Sequence, residues 1–153
     1  MRKSELASHF NPALFIPELK ATDKEAVLKE LLDLFVKEKH IRNSAIVLEM
    51  LHQREKLGST GIGKGVAIPH GRTVAASDVL IAFGKSTAGV PFDAMDGKPV
   101  HLFFMVIAPP NDEGNVYLQI LGSLMPILSD AENLQRMKAV REYNEFIEVI
   151  RGE

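Results

Sequence analysis

The sequence predicts an α/β fold, a three-layer sandwich in which one mixed β-sheet lies between layers of helices. Helical patterns of apolar residues occupy both ends of the chain, before residue 58 and after residue 115. Between them lie two apolar runs, 79–83 and 100–108, whose consecutive apolar residues predict strands covered on both faces. With 153 residues, 46% of them hydrophobic, the chain suits a single domain spanning 1–153.

The individual strands follow from apolar runs that end at turn residues. Residues 1–12 are predicted to form a loose lead-in, and residues 13–16 a short edge strand. The two buried strands are predicted over 77–85 and 100–108. The second of these should stop at Pro109, because proline cannot donate a ladder hydrogen bond.

Capping residues predict where the helices begin. Thr22 and Glu25 have the spacing of a capping box, in which the threonine caps and the glutamate reaches back. The other helices are expected to begin at residues that commonly cap: Asn43 or Ser44, Asn115, Asp130 and Asn144. Apolar residues at helical spacing follow each of these positions, so five helices should flank the strands.

The segment 58–72 organises the rest of the chain. Four of the eleven glycines fall between Gly58 and Gly65, and a fifth follows His70. Such a density indicates a shaped loop, because glycine is favourable where the backbone takes positive φ or approaches another group closely. Pro69 should end a short apolar strand, 66–68, and leave His70 on a turn, with Gly71 keeping its far side open. That arrangement would present an imidazole to a large partner.

Two phosphate-binding loops are disfavoured in this segment. Residues 58–64 fit the spacing of a P-loop, but Gly65 stands where a P-loop needs serine or threonine for magnesium. A Rossmann pattern starting at Gly61 fails because position 66 is valine. A nucleotide-binding hydrolase is therefore the weakest of the hypotheses considered below.

The segment closely resembles the active-site motif of the type-2 enzyme IIA domains of the bacterial phosphotransferase system. Residues 67–71 are Ala-Ile-Pro-His-Gly, which matches the end of the family pattern. The segments 54–63 and 91–100 look most like the nitrogen-regulatory branch of this family. The resemblance covers nearly the whole chain from about Phe15. It implies the three-layer fold and a phosphotransferase activity that proceeds through a phosphohistidine.

The resemblance also implies roles for two residues. His70 would accept the phosphoryl group on Nε2, a nitrogen that the sequence alone cannot choose. A neutral imidazole is a good nucleophile, and its ordinary pKa of about 6.5 leaves much of it neutral near pH 7. Arg54, sixteen positions earlier, stands where the family has a phosphate-binding arginine. A planar guanidinium suits phosphoryl oxygens, although by spacing alone Arg54 is a solvated charge at a helix end.

Three further residues near His70 have two interpretations each. Ser59 and Thr60 either donate their hydroxyls to the phosphoryl group or form side-chain turns within the loop. Lys64 either approaches the phosphoryl group or is a charge at the tip of the loop. The sequence does not distinguish between these interpretations.

One position departs from the resembled family. Type-2 enzyme IIA domains usually carry a second active-site histidine in the first turn of a helix, and here the matching residue is Tyr117. A tyrosine hydroxyl can donate a hydrogen bond to a phosphoryl oxygen or to His70. It cannot become a cation, and with a pKa of about 10 it does not readily shuttle a proton near neutral pH. The alternative is that Tyr117 is half-buried beside the site and plays no part in transfer.

Composition excludes several other functions. The net charge of −2 gives no basic face for nucleic acid, and the absence of cysteine excludes disulfides and is compatible with the cytoplasm. The five histidines lack metal-binding spacing, so we predict neither a metal site nor a cofactor. No apolar run is long enough to span a bilayer, and the N-terminus lacks the apolar core of a signal peptide.

Three functional hypotheses follow. The first is a phosphocarrier of nitrogen-regulatory type that receives its phosphoryl group from an HPr/NPr-like carrier protein, as the resemblance implies. Its downstream partner would be a regulatory target protein or a separate chain of a fructose- or mannitol-type sugar transporter. The second is a non-catalytic regulatory module whose binding is switched by the state of His70. The third is the nucleotide-binding hydrolase.

Overall fold

The computed structural model describes all 153 residues and contains six α-helices and six β-strands. The helices are α1 (Lys3–Ala7), α2 (Lys24–Lys37), α3 (Ser44–Lys56), α4 (Val116–Ser129), α5 (Ala131–Ala139) and α6 (Tyr143–Arg151). The strands are β1 (Phe10–Ile16), β2 (Gly61–Gly63), β3 (Val66–Ala67), β4 (His70–Arg72), β5 (Leu80–Val90) and β6 (Val100–Ala108). A single 3₁₀ turn, Glu113–Asn115, leads into α4.

The strands form one mixed sheet in the order β1-β5-β6-β3-β2, and β4 also pairs with β6. The long central strands β5 and β6 are antiparallel, whereas β1 is parallel to β5. Strands β3 and β4 both run parallel to β6, so that Ala67 pairs with Phe103 and His70 with Val106. The two short strands thus lie one after the other along the same edge of β6, and β4 has no strand on its outer side.

Two hydrophobic cores lie on opposite faces of the sheet. One core is formed with α1, α4, α5 and α6, and the other with α2 and α3. Strand β6 contributes to both: alternate residues face the first core (Leu102, Phe104, Val106) and the second (Phe103, Met105, Ile107). This alternation, which follows from the two-residue period of a strand, confirms the predicted three-layer sandwich.

The N-terminal segment differs from the prediction of a loose lead-in over 1–12. It holds α1 and the first half of β1, and Leu6 is fully buried where α1 packs beside α6. Phe10 pairs with Ile81 of β5, which extends the predicted strand 13–16 toward the N-terminus. A one-turn helix is too short to show a helical apolar period, so the sequence pattern did not reveal it.

The helix starts are partly as predicted. Asn43 and Asp130 cap α3 and α5 through their side chains, which accept from the N–H groups of Ile46 and Asn133. Helix α2 is capped by Asp23, whose carboxylate accepts from Ala26, so the predicted start at Thr22 was one residue early. Helix α6 begins after Glu142 and not after Asn144, because Glu142 and Glu145 form a capping box there.

Candidate active site

His70 is the first residue of β4 and lies half-buried at the edge of the sheet, in a pocket lined by residues of α3 and α4. The prediction that His70 sits on a turn was wrong, because pairing with β6 resumes directly after Pro69. Proline lacks only the backbone N–H donor, and the Pro69 carbonyl still accepts a hydrogen bond of 2.9 Å from the N–H of Val106. The imidazole is therefore mounted on the central sheet and not on a mobile loop.

The orientation of the imidazole is set by its own strand. Nδ1 of His70 lies 2.6 Å from the carbonyl oxygen of Ile68. A carbonyl only accepts, so Nδ1 carries the hydrogen and donates it. The lone pair of the neutral ring is then on Nε2, the nitrogen that is free to react.

The surroundings of His70 favour the neutral ring. Burial is the largest influence and lowers the pKa of His70 below its ordinary value, and the nearby positive charge of Arg54 lowers it further. The Ile68 carbonyl and the Glu55 carboxylate act in the opposite direction without reversing the shift. At neutral pH the imidazole is thus held in its nucleophilic form.

His70 lines a pocket of about 430 Å³ whose walls come from α3 and α4. The other residues of the wall are Met50, Gln53, Arg54, Leu57, Gly71 and Tyr117. The prediction that Gly71 keeps an open side was wrong, because a Cβ atom there would lie 2.0 Å from the Met50 sulfur. The absence of a side chain at Gly71 leaves room for the Met50 side chain of α3, which packs against β4 in the His70 pocket.

Arg54 lies in the last turn of α3 and in the same pocket as His70. One guanidinium nitrogen donates to the Gly58 carbonyl at 2.8 Å, so the side chain is held against the start of the glycine-rich loop. Its charge influences the pKa of both His70 and Tyr117. The structure therefore brings together the two residues that the sequence singled out.

Ser59 and Thr60 are turned into the loop and away from the pocket. The Ser59 hydroxyl donates to the Phe92 carbonyl at 2.6 Å and accepts from the N–H of Gly61 at 3.0 Å. Thr60 is buried, and its hydroxyl donates to the Glu55 carboxylate. This geometry favours the loop-building interpretation of both residues over direct contact with a phosphoryl group.

The glycine-rich segment itself is a β-hairpin. Strands β2 and β3 pair in antiparallel fashion, and Lys64 stands at the tip, exposed and with a positive φ of 58°. Its backbone N–H donates to the Asp96 carboxylate, and Lys64 takes no part in the His70 pocket. A hairpin that continues into a strand differs from a P-loop, which leads into a helix.

Tyr117 lies in the first turn of α4, as predicted, with its ring centroid 6.2 Å from that of His70. Burial raises the pKa of the Tyr117 phenol, so the side chain is neutral at physiological pH. Asn115 precedes the helix with a positive φ and makes no capping bond. The Asp112 carboxylate instead accepts a hydrogen bond of 2.7 Å from the N–H of Tyr117, so this N–H at the start of α4 already has a partner.

Arg72 borders this site through its contact with Tyr117, although the sequence analysis did not single it out. It follows His70 by two positions on β4, so the two side chains leave the same face of the strand. Its guanidinium carbon lies 4.6 Å from the Tyr117 ring centroid, and a guanidinium nitrogen donates to the Pro109 carbonyl at 3.1 Å. The signal was the two-residue spacing, which was missed because His70 was expected on a turn.

The arrangement combines a neutral imidazole, with Nε2 free, and the Arg54 guanidinium in the same pocket, while the Arg72 guanidinium lies against the Tyr117 ring. A nucleophile beside a cation suits the acceptance of a negatively charged group by the imidazole.

No three side chains of the metal-ligating types lie together in the structure. None of the helices has both the length and the apolar character needed to cross a bilayer.

Comparison with known proteins gives one family. A family model described as "Phosphoenolpyruvate-dependent sugar phosphotransferase system, EIIA 2" matches residues 8–152. The chain is 34% identical to a nitrogen regulatory protein of Bradyrhizobium diazoefficiens, over 91% of this chain and 90% of that protein. It is 33% identical to the fructose-specific EIIABC component of Bacillus subtilis over 86% of this chain, which spans only 21% of that longer protein.

Solved structures agree with the family match. The crystal structure of the nitrogen regulatory protein IIA-Ntr from Neisseria meningitidis superposes with a TM-score of 0.87 at 32% identity, covering 95% of this chain and 99% of that chain. Enzyme IIAMTL of Escherichia coli, solved in complex with phosphorylated enzyme IIBMTL, superposes with a TM-score of 0.78 over 94% of this chain and 99% of that chain. At 23% identity, this second likeness shows the shared fold alone.

Proposed function

This chain belongs to the EIIA 2 family of the phosphoenolpyruvate-dependent sugar phosphotransferase system, and we propose that it accepts a phosphoryl group on His70 from a histidine-phosphorylated HPr/NPr-like carrier protein. The observation that carries this proposal is the 2.6 Å contact between Nδ1 of His70 and the Ile68 carbonyl. It commits the ring hydrogen to Nδ1 and leaves Nε2 as the nucleophile beside Arg54.

The transfer needs no external acid or base. The Nε2 lone pair of His70 forms the new N–P bond while the N–P bond to the carrier histidine breaks, and the carrier imidazole keeps that electron pair. The positive charge moves from the carrier ring to the His70 ring, where the Nδ1–H bond to Ile68 stabilises it. Arg54 lies in the same pocket, and in this proposal its charge neutralises the phosphoryl oxygens during the step.

Apolar side chains around the pocket support a protein as the donor. Leu57, in the pocket wall, is 86% exposed, and Leu118, which follows the pocket residue Tyr117 on α4, is also exposed. Large apolar side chains grouped around a reactive residue are typical of a protein-docking surface. The proposal assigns this surface to the carrier and places the encounter in the cytoplasm.

The proposed role downstream is regulatory. Relatives of nearly the same length, at 34% and 32% identity, are named nitrogen regulatory proteins. The neutral Tyr117, in place of the usual second histidine, favours acceptance of the phosphoryl group with poor onward transfer to a sugar transporter. The second candidate is the IIA component of a fructose-type transporter, which the similarity to the Bacillus subtilis protein supports. The regulatory target would be a separate protein that distinguishes the phosphorylated from the free form.

The decisive experiment is incubation with phosphoenolpyruvate, its phosphotransferase and the carrier, followed by intact-mass measurement at neutral pH. We expect one acid-labile phosphate on the wild-type protein and on the His40→Ala control, and none on His70→Ala. Full labelling of His70→Ala would refute His70 as the acceptor. A wild-type protein that remains unlabelled would leave only the non-catalytic regulatory module.

A further inference from the structure

Glu55 carries a buried carboxylate one residue after Arg54, and its side chain is only 6% exposed. It accepts hydrogen bonds from both the N–H and the hydroxyl of Thr60 and forms an ion pair of 2.9 Å with Lys24. Burial of a carboxylate is unfavourable unless its oxygens are paired. Here the pairing joins three separate parts of the chain: the start of α2, the end of α3 and the glycine-rich hairpin.

Two hydrogen bonds connect this carboxylate to the imidazole. The Thr60 carbonyl accepts from the N–H of Ile68 at 3.0 Å, and the Ile68 carbonyl accepts from Nδ1 of His70 at 2.6 Å. Thr60 and Ile68 are 3% and 4% exposed, so both links lie in tightly packed surroundings. In such surroundings a shift at Thr60 is passed on to its neighbours and is not absorbed by empty space.

The same carboxylate also fixes the surroundings of Arg54. The Arg54 guanidinium is held by the Gly58 carbonyl, and Glu55 holds Thr60 two residues further along. Both bonds join the last turn of α3 to the beginning of the hairpin. The relative position of the guanidinium and the imidazole therefore depends on how firmly this short segment, 58–60, is attached to α3.

We propose that Glu55 is a positioning residue: by holding Thr60 against α3, its carboxylate sets the orientation of the His70 imidazole relative to the Arg54 guanidinium. Lys24 balances the buried charge, and its ammonium also lies 4.7 Å from the centroid of the Phe92 ring. The inference rests on the proposed transfer to His70 for its catalytic consequence, whereas its effect on the imidazole itself does not depend on transfer.

The first test compares Glu55→Gln with the wild type. The amide keeps the volume but loses the charge and the ion pair to Lys24, and one carboxylate oxygen becomes a donor facing Thr60. We expect kcat for phosphorylation by the carrier to fall on the order of 10- to 100-fold, the scale for small misplacements of reacting groups. KM for the carrier should stay unchanged because Glu55 is buried away from the docking surface. Glu38→Gln, an exposed change at the end of α2, is the matched control.

The second test reads the imidazole directly by ¹⁵N NMR of the unphosphorylated protein. In the wild type we expect the Nδ1–H tautomer of His70, and in Glu55→Gln a smaller fraction of it together with a lower pKa of His70. A purely structural role for Glu55 would lower the melting temperature without changing the tautomer fraction. The lower pKa of His70 follows from loss of the Glu55 charge in either case, so the tautomer fraction is the discriminating readout. If the wild type is never phosphorylated, this measurement still decides the positioning role, so the two proposals can fail separately.

Thr60 provides a test that does not change the charge. Thr60→Val removes the hydroxyl bond to Glu55, whereas Thr60→Ser keeps it. We expect Thr60→Val to reproduce the loss in kcat and the change of tautomer, and Thr60→Ser to restore both. Wild-type kcat and a wild-type tautomer fraction of His70 in folded Glu55→Gln and Thr60→Val would overturn the proposal. The threonine pair also decides the matter if Glu55→Gln does not fold.

Discussion

The buried position of His70 has a measurable pH consequence. Its pKa is lowered, chiefly by burial, so the unfolded chain binds a proton at His70 at higher pH than the folded protein does. We predict that His70 contributes to a loss of stability as the pH falls from about 6.5 through its folded-state pKa. The rate of phosphoryl acceptance should fall over the lower part of the same range, because protonation removes the Nε2 lone pair.

This prediction is checked by urea unfolding and by transfer rates measured across that pH range. The control is His70→Gln, in which the part of the pH dependence of the unfolding free energy that comes from this residue should disappear. An acceptance rate that rises on acidification would contradict the assignment of neutral His70 as the nucleophile.

Arg54 is predicted to act through the shape of its guanidinium and not only through its charge. Arg54→Lys keeps the charge but loses the fork that suits phosphoryl oxygens. We expect phosphoryl acceptance to slow on the order of 10- to 1,000-fold, the range for loss of one electrostatic donor. Single-turnover phosphorylation of Arg54→Lys and Arg54→Ala measures this. A wild-type rate in Arg54→Ala would return Arg54 to the role of a solvated charge at the end of α3.

Tyr117 gives a prediction about the direction of phosphoryl flow. Because the phenol stays neutral, it can support acceptance at His70 without supplying the positive charge that a second histidine could provide. We expect Tyr117→His to pass the phosphoryl group to a fructose- or mannitol-type transporter faster than the wild type does. Both half-reactions should be measured for both proteins. If the wild type already transfers onward as fast as Tyr117→His, the argument for a regulatory role from this position fails.

At the scale of elements, the packing of α3 against β4 involves Gly71. An added Cβ would lie 2.0 Å from the Met50 sulfur, so the Met50 side chain, or α3 with it, would have to shift away from the strand that carries His70. We predict that Gly71→Ala lowers the free energy of unfolding by about 1–3 kcal/mol, the usual effect of overpacking. Urea denaturation of the variant and of the double variant with Met50→Ala tests this, because the smaller side chain should restore much of the loss.

Gly122→Ala is the matched control for this change. It lies within α4, and nothing is within 4 Å of an added Cβ. Because alanine favours a helix more than glycine does, this variant should be more stable by up to about 1 kcal/mol. Equal destabilisation of both variants would show that the crowding at Met50 is not the cause.

The sequence predicted the elements better than their connections. Apolar runs located β5 and β6, and the capping residues Asn43 and Asp130 located the starts of α3 and α5. His70 was singled out through its contiguous motif, and Arg54 only through the resemblance to the family, because its spacing alone indicated a solvated charge. Glu55 and Arg72 were not singled out, because their roles depend on contacts with Thr60 and Tyr117 that exist only after the hairpin and α4 are in place. Such contacts leave no periodic signal in the chain.

At the scale of the whole molecule, the two helix layers share one sheet. Alternate residues of β6 belong to different cores, so neither layer can lose its packing without exposing the strand that supports the other. We therefore predict one cooperative unfolding transition for residues 1–153. Hydrogen exchange should give the same opening free energy for the most protected amides of α3 and α4. Two separate transitions would contradict the prediction of a single domain.

The place of Tyr117 beside His70 also gives the molecule an internal optical probe. The chain has no tryptophan and only two tyrosines. Tyr143 packs among phenylalanines, against Phe15 and Phe146, whereas Tyr117 lies beside His70. A dianionic group arriving on the imidazole changes the electric field at the Tyr117 ring and leaves Tyr143 as a constant background. If His70 is phosphorylated as proposed, we expect intrinsic tyrosine emission to follow its chemical state in real time, without a dye, a label or a substitution.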